Sequence, residues 1–148
     1  MPRSAEDQLA AVREGLVRLD PAGAAAAAAE GALLVDIRYG ALRDRDGTIP
    51  GAVIVERNEL EWRLDPQSDY RIPQAVGHDL HVVVICNEGY ASSLAAASLQ
   101  DIGIHRATDL DGGFQSWRAA GLPVTPPTGE PTVRTPYIGQ PDAGGASR

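Results

Sequence analysis

Short apolar runs alternate along the chain with polar stretches rich in Gly and Pro, and this alternation predicts the elements. Residues 32–37 read Ala-Leu-Leu-Val-Asp-Ile, a continuous apolar run ending in an acid, as a buried parallel strand does. Residues 52–55 follow Pro50-Gly51 and predict a second, shorter strand. Residues 81–85 form the run richest in β-branched side chains and predict the central strand. Residues 106–110 predict another. Leu9, Val12, Leu16 and Leu19 recur at helical spacing and predict a helix over 4–19, with Ser4 and Asp7 as a capping box and Asp20-Pro21 as its stop. Pro21 opens a second helix through the Ala run to Glu30, and Gly31 closes it. Residues 58–64 predict a helical turn carrying Trp62, whose side chain is expected to pack. Residues 92–101 predict a helix stopped by Gly103, and 113–120 a last one, ended by Gly121 and Pro123, with Phe114 and Trp117 in the core. Residues 39–48, containing Asp46-Gly47, and 65–79, containing Pro66 and Pro73, read as loops. Strands alternating with helices predict an α/β domain with a central parallel sheet flanked by helices. The expected organisation is an N-terminal helical extension over 1–20, the domain over 21–125, and a Pro/Gly-rich tail over 126–148 that adds little to the fold.

Of the 148 residues, 20 are acidic and 13 basic, for a formal net charge of −7. Such a field repels phosphate backbones and anionic lipid, so neither a nucleic-acid nor a membrane partner is expected. Every basic residue is Arg, and without Lys there is no Schiff-base chemistry. A single Cys excludes an intramolecular disulfide and a cysteine zinc site. His78, His81 and His105 have no metal-ligand spacing, so no metal site is expected. The N-terminus, Met-Pro-Arg-Ser-Ala-Glu-Asp, lacks the apolar core of a signal peptide, and Ala24–Ala29 is too short to span a bilayer. A cytoplasmic protein is expected, since a lone thiol suits a reducing compartment.

Cys86 stands between the predicted central strand and the predicted helix 92–101. In open α/β sheets, ligands bind at the carboxyl edge of the strands. A strand–loop–helix unit aims backbone N–H groups at one point, and the helix N-terminus adds positive potential that favours a thiolate or an anion. Gly89 lets the backbone bend around the sulfur. Cys86 is therefore the candidate nucleophile. Asn87, Glu88, Gly89, Tyr90, Ala91 and Ser92 are the candidate substrate-binding residues, and Ser92 and Ser93 are read as helix caps. Arg57, just after the second strand, is a candidate contact for an anionic substrate.

The segment Cys86-Asn87-Glu88-Gly89-Tyr90-Ala91-Ser92 resembles the active-site loop of single-domain rhodaneses, Cys-x-x-Gly-x-(Arg)-Ser. Leu34-Val35-Asp36-Ile37-Arg38 is similar to that family's Asp-x-Arg motif. Gly47-Thr48-Ile49-Pro50-Gly51-Ala52 is similar to its Gly-His-Ile-Pro-Gly-Ala turn, with Thr48 in place of His. Leu110-Asp111-Gly112-Gly113-Phe114, with Trp117 and Ala120-Gly121-Leu122-Pro123, resembles its C-terminal signature. The resemblance implies a rhodanese-like three-layer domain and a sulfurtransferase without a cofactor. It implies that sulfane sulfur moves from thiosulfate or a persulfide donor to a thiol or cyanide acceptor through a Cys86 persulfide. Asp36 and Arg38 are implied to support the site. With no second cysteine the acceptor must be external: cyanide, a small thiol or a partner protein.

Two departures bear on that activity. Many loops of the family carry Arg or Lys where this chain has Ala91, and Glu88 adds a negative charge. Both weaken capture of a dianion. A charge-assisted hydrogen bond contributes about 1.5–3 kcal/mol, so its loss costs on the order of 10- to 100-fold in affinity. The alternative is a rhodanese-like binding or regulatory module with little turnover. A related phosphatase or arsenate reductase is disfavoured, because the resemblance implies a longer loop ending in Arg, and no Arg lies between Cys86 and Asp101.

Overall fold

Strands β1 (Leu33–Asp36), β2 (Val53–Ile54), β3 (Val82–Ile85) and β4 (Ala107–Asp109) form a parallel sheet in the computed structural model, which describes residues 1–130. Their order is β2-β1-β3-β4. Helices α2 (Pro21–Ala29), α4 (Leu60–Leu64), α5 (Ala91–Asp101) and α6 (Gly113–Ala119) cover the two faces, and α1 (Ala5–Arg13) packs on α5. The expected α/β architecture with a central parallel sheet is present.

β3 is buried along its whole length because both its faces are covered. Val82 and Val84 join Leu60 and Leu64 of α4 and Ala95, Ala96 and Leu99 of α5. Val83 and Ile85 join Ala24 of α2 and Phe114 and Trp117 of α6. Burying one such aliphatic side chain contributes about 1.5–3 kcal/mol before entropy. This two-sided burial is why the run 81–85 shows no polar alternation.

Two predicted elements are corrected. The first helix ends at Arg13 and does not reach residue 19. Gly15 disfavours continuing it, and Leu19 is recruited elsewhere: its N–H donates to Asp109 O at 3.1 Å and its carbonyl accepts from Asp111 N at 2.8 Å. Leu19 thereby pairs with Leu110 in a parallel bridge beside the end of β4. Leu16 is buried in the core, while Leu9 and Val12 are half-buried. The Ser4–Asp7 capping box forms as expected. The second correction is α3 (Gly40–Asp46), in a stretch that reads as loop. Its buried residues are Arg43 and Asp46, so it carries no apolar period to detect.

Beyond α6, Trp117 Nε1 donates to Pro123 O at 2.8 Å, and Thr125 pairs antiparallel with Thr48. Residues 131–148, most of the expected tail, lie outside the described residues.

The topology fixes where a cleft opens. After β1 the chain crosses through α3 to β2 on one side, and after β3 it crosses through α5 to β4 on the other. The loops leaving the carboxyl ends of β1 and β3 therefore diverge, and open sheets bind ligands at such a switch point.

Candidate active site

Cys86 follows β3 directly and is 8% exposed. The loop after it curls so that two backbone amides point at the sulfur: Gly89 N–H at 3.1 Å and Ser92 N–H at 3.3 Å, donor to Sγ. Gly89 has φ +89°, in the left-handed region that favours glycine. Ser92 lies in the first turn of α5, so its amide is one of the helix's unpaired N-terminal donors. Backbone donors at a helix N-terminus favour negative charge at the atom they face.

Behind the loop is a buried ionic network. Asp109 of β4 is fully buried. Its Oδ2 accepts from Ser92 Oγ and Ser93 Oγ, both at 2.8 Å. Arg18 Nε donates to its Oδ1 at 2.9 Å and Arg18 Nη2 to its Oδ2 at 3.2 Å. Arg18 Nη2 also donates to Gly89 O at 2.9 Å, and Arg13 Nη2 to the same carbonyl at 2.7 Å. Arg13 Nε closes the circuit by donating to Ser93 Oγ at 3.0 Å. Partial burial opposes the charge on Arg18, but Asp109, with Asp111 beside it, holds the guanidinium above its ordinary pKa.

The floor of the loop is the start of α6. Phe114 N–H donates to Cys86 O at 2.9 Å and Gln115 N–H to Asn87 O at 3.1 Å. A side chain at Gly113 would put Cβ 2.5 Å from Cys86 O and 2.7 Å from Glu88 N, so the loop requires glycine there. Gln115 Nε2 donates to Asn87 Oδ1 at 3.0 Å and to Asp46 Oδ2 at 2.9 Å, tying the loop to α3. The Arg45 guanidinium, with burial opposing and Gln115 assisting, holds the Asp46 carboxyl well below the usual carboxylate range.

In front of the sulfur lies a cleft of about 510 Å³ between the loops after β1 and β3. Tyr39 and Leu42 line it after β1, Tyr90 and Ala91 after β3, and Arg38, Arg45, Arg57 and Glu88 bring charge to it. Arg57 Nη1 is paired with Glu61, 3.1 Å from Oε1, and Arg45 Nη2 with Asp46 Oδ2 at 2.6 Å.

A family model for the Rhodanese-like domain matches residues 21–120. The chain belongs to the Rhodanese-like domain family. It is 37% identical over 100 residues to a sulfurtransferase of Allochromatium vinosum, covering 68% of this chain and 84% of that protein. It is 35% identical over 95 residues to the thiosulfate sulfurtransferase GlpE of Actinobacillus pleuropneumoniae serotype 3, covering 64% and 79%. A solved structure from Rhodopseudomonas palustris superposes with a TM-score of 0.76 at 35% identity, covering 84% of this chain and 96% of that one. That protein is of unknown function, called a possible tyrosine phosphatase.

Within this rhodanese-like frame the structure gathers Cys86, Asn87, Glu88, Tyr90 and Ala91 on the cleft, with Gly89 and Ser92 presenting their amides to Sγ. Arg57 reaches the same cleft. Asp36 and Arg38 form an ion pair beside it at 2.8 Å, and Arg38 Nη2 also donates to Gly47 O at 2.8 Å. The Arg38 guanidinium lies 3.8 Å from the centroid of the Phe114 ring. Two readings are corrected. Ser92 and Ser93 do not cap α5 with their side chains; buried Asp109 takes both hydroxyls instead. Trp62 is 54% exposed and lines a groove that shares Arg57 with the cleft, so it is not packed away. Arg13, Arg18, Asp46, Asp109 and Gln115 were not singled out from sequence. Each acts through a partner 28 or more positions away, and no local pattern marks such a residue.

Proposed function

We propose that this chain is a rhodanese-type sulfurtransferase in which Cys86 carries sulfane sulfur as a persulfide. The observation that carries the reading is the pair of backbone amides on Sγ, which stabilise negative charge on the thiolate. The Cys86 thiolate attacks the outer sulfur of a donor. With thiosulfate, the S–S bond of the donor breaks, sulfite leaves with the electron pair, and Cys86 keeps the transferred sulfur as Cys–S–S⁻. An external nucleophile, cyanide or a thiolate, then attacks that terminal sulfur and regenerates the Cys86 thiolate. This is covalent catalysis in two displacements. Its sulfurtransferase relatives support the reaction class.

The charge around the cleft favours a persulfide donor over thiosulfate. Residues 87–92 include Glu88 and no basic residue. Arg38, Arg45 and Arg57 at the cleft are already engaged by Asp36, Asp46 and Glu61. The same charges stand against hydrolysis of a phosphoryl dianion, which needs a cationic clamp at the transferring group. We further propose a small thiol or a partner protein in the cytoplasm as acceptor.

The test is intact-protein mass spectrometry after incubation with thiosulfate or with an organic persulfide. Gain of one sulfur atom, lost on adding cyanide and absent in Cys86→Ser, is the expected result. Ala91→Arg is expected to lower the thiosulfate KM by about tenfold. Failure of both donors to load Cys86 overturns the sulfurtransferase reading in favour of a binding module.

A further inference from the structure

The two arginines on Gly89 O lie at positions 13 and 18, ahead of the matched family region that begins at residue 21. They close a ring of contacts: Arg13 to Ser93, Ser93 to Asp109, Asp109 to Arg18, Arg18 to Gly89, and Gly89 back to Arg13. Gly89 is the bridging residue. Gly89 N–H points at the Cys86 sulfur, while Gly89 O, at the other end of the same residue, receives two guanidinium donors. A carbonyl held this way cannot rotate toward the sulfur, where its partial negative charge would oppose a thiolate. The guanidiniums also set two positive charges behind a loop that has Glu88 and no cation of its own.

We propose that Arg13 and Arg18 are positioning residues for Cys86: the N-terminal segment clamps the loop from behind and thereby sets the ionisation of the thiol. This deepens the sulfurtransferase reading and rests on Cys86 being its reactive group. Charged groups stand on each element around Cys86. They are Glu88 on the loop, Asp109 and Asp111 at the end of β4, the Asp36–Arg38 pair after β1, and Arg45 and Arg57 across the cleft. Arg13 and Arg18 are the cations that contact the loop backbone among the described residues.

The test is the pH profile of Cys86 alkylation by iodoacetamide in the full chain, since only the thiolate reacts. In R13Q the midpoint is expected to move to higher pH, with alkylation at neutral pH falling about tenfold and the high-pH plateau unchanged. R13K, which keeps the charge but not the two-pronged geometry, is expected to lie between R13Q and wild type. R18Q/D109N removes the second clamp without stranding a buried carboxylate and is expected to shift the midpoint in the same direction. A role in fold stability alone would lower the thermal midpoint of unfolding and leave the alkylation midpoint where it is. Midpoints equal to wild type in the folded variants overturn the proposal, and so does failure of R13Q to fold while R18Q/D109N folds with an unshifted midpoint. Iodoacetamide involves no sulfur transfer. A shifted midpoint with no sulfur loading from any donor would keep the clamp and discard the sulfurtransferase reading.

Discussion

The two sides of the Cys86 loop carry ion pairs of similar length but of different worth. In front, Arg45–Asp46 and Arg57–Glu61 bridge at 2.6 and 3.1 Å, with arginine side chains 61% and 39% exposed. Behind, Arg18–Asp109 bridges at 2.9 Å, with side chains 17% and 0% exposed. Water reaches both partners of Arg57–Glu61 and screens that pair, so it contributes little, about 0–1 kcal/mol. The rear carboxylate has no water to fall back on, and removing a partner leaves bare charge. The rear of the loop is therefore held by buried charge, while the arginines on the cleft side stay open to solvent.

The comparison breaks most visibly at Asp109. Asp109→Ala strands Arg18 and the Ser92 and Ser93 hydroxyls and is expected to cost about 3–5 kcal/mol in urea unfolding. A cost no larger than that of a surface pair would erase the distinction between the two sides. Gly113→Ala comes next. Its Cβ would meet the Cys86 carbonyl at a φ of +62°, and an expected cost of about 1–3 kcal/mol should come with slower sulfur loading of Cys86. Normal stability and loading would show that the floor of the loop yields.

Asp46 sharpens the front side through pH. Its folded carboxyl titrates below its unfolded value, so its contribution is fully present above the unfolded pKa of about 4 and lost as pH falls through the lower folded value. Asp46→Asn is expected to flatten the fall in thermal midpoint below that pH while leaving the slope near neutrality unchanged. An identical acid limb in wild type and variant would remove Asp46 from the account. The smallest effect belongs to Arg57→Gln, with a stability change within about 0.5 kcal/mol by denaturant titration. A loss of several kcal/mol would show that the cleft side is as firmly built as the rear.

The strands and Cys86 were legible because they depend on neighbours in sequence. A strand covered on both faces is mostly apolar, and Val82–Ile85 is so throughout. A nucleophile at the carboxyl end of the central strand follows from that strand's position. Gly89 is legible as the bend around the sulfur, and Gly112 and Gly113 as part of a motif, but the reason for those two is not. Only the folded chain puts the Gly113 backbone against Cys86 O, and Gly89 against Gly112. No apolar period marks α3, whose buried side chains are charged, and the spacing of Leu16 and Leu19 fits a longer α1 as well as it fits a core contact and a strand edge.

The sequence by itself determined the alternation of strands and helices, the place of the thiol at a strand end, and the absence of a cation in the loop beside it. Tertiary structure alone decided what compensates for that absence. Arg13 and Arg18 are 76 and 71 positions from Gly89, and Arg18 is 91 from Asp109. Electrostatic partners at such separations follow from how the chain packs, because Coulomb attraction depends on distance in space and on exclusion of water, neither of which is written in the order of residues.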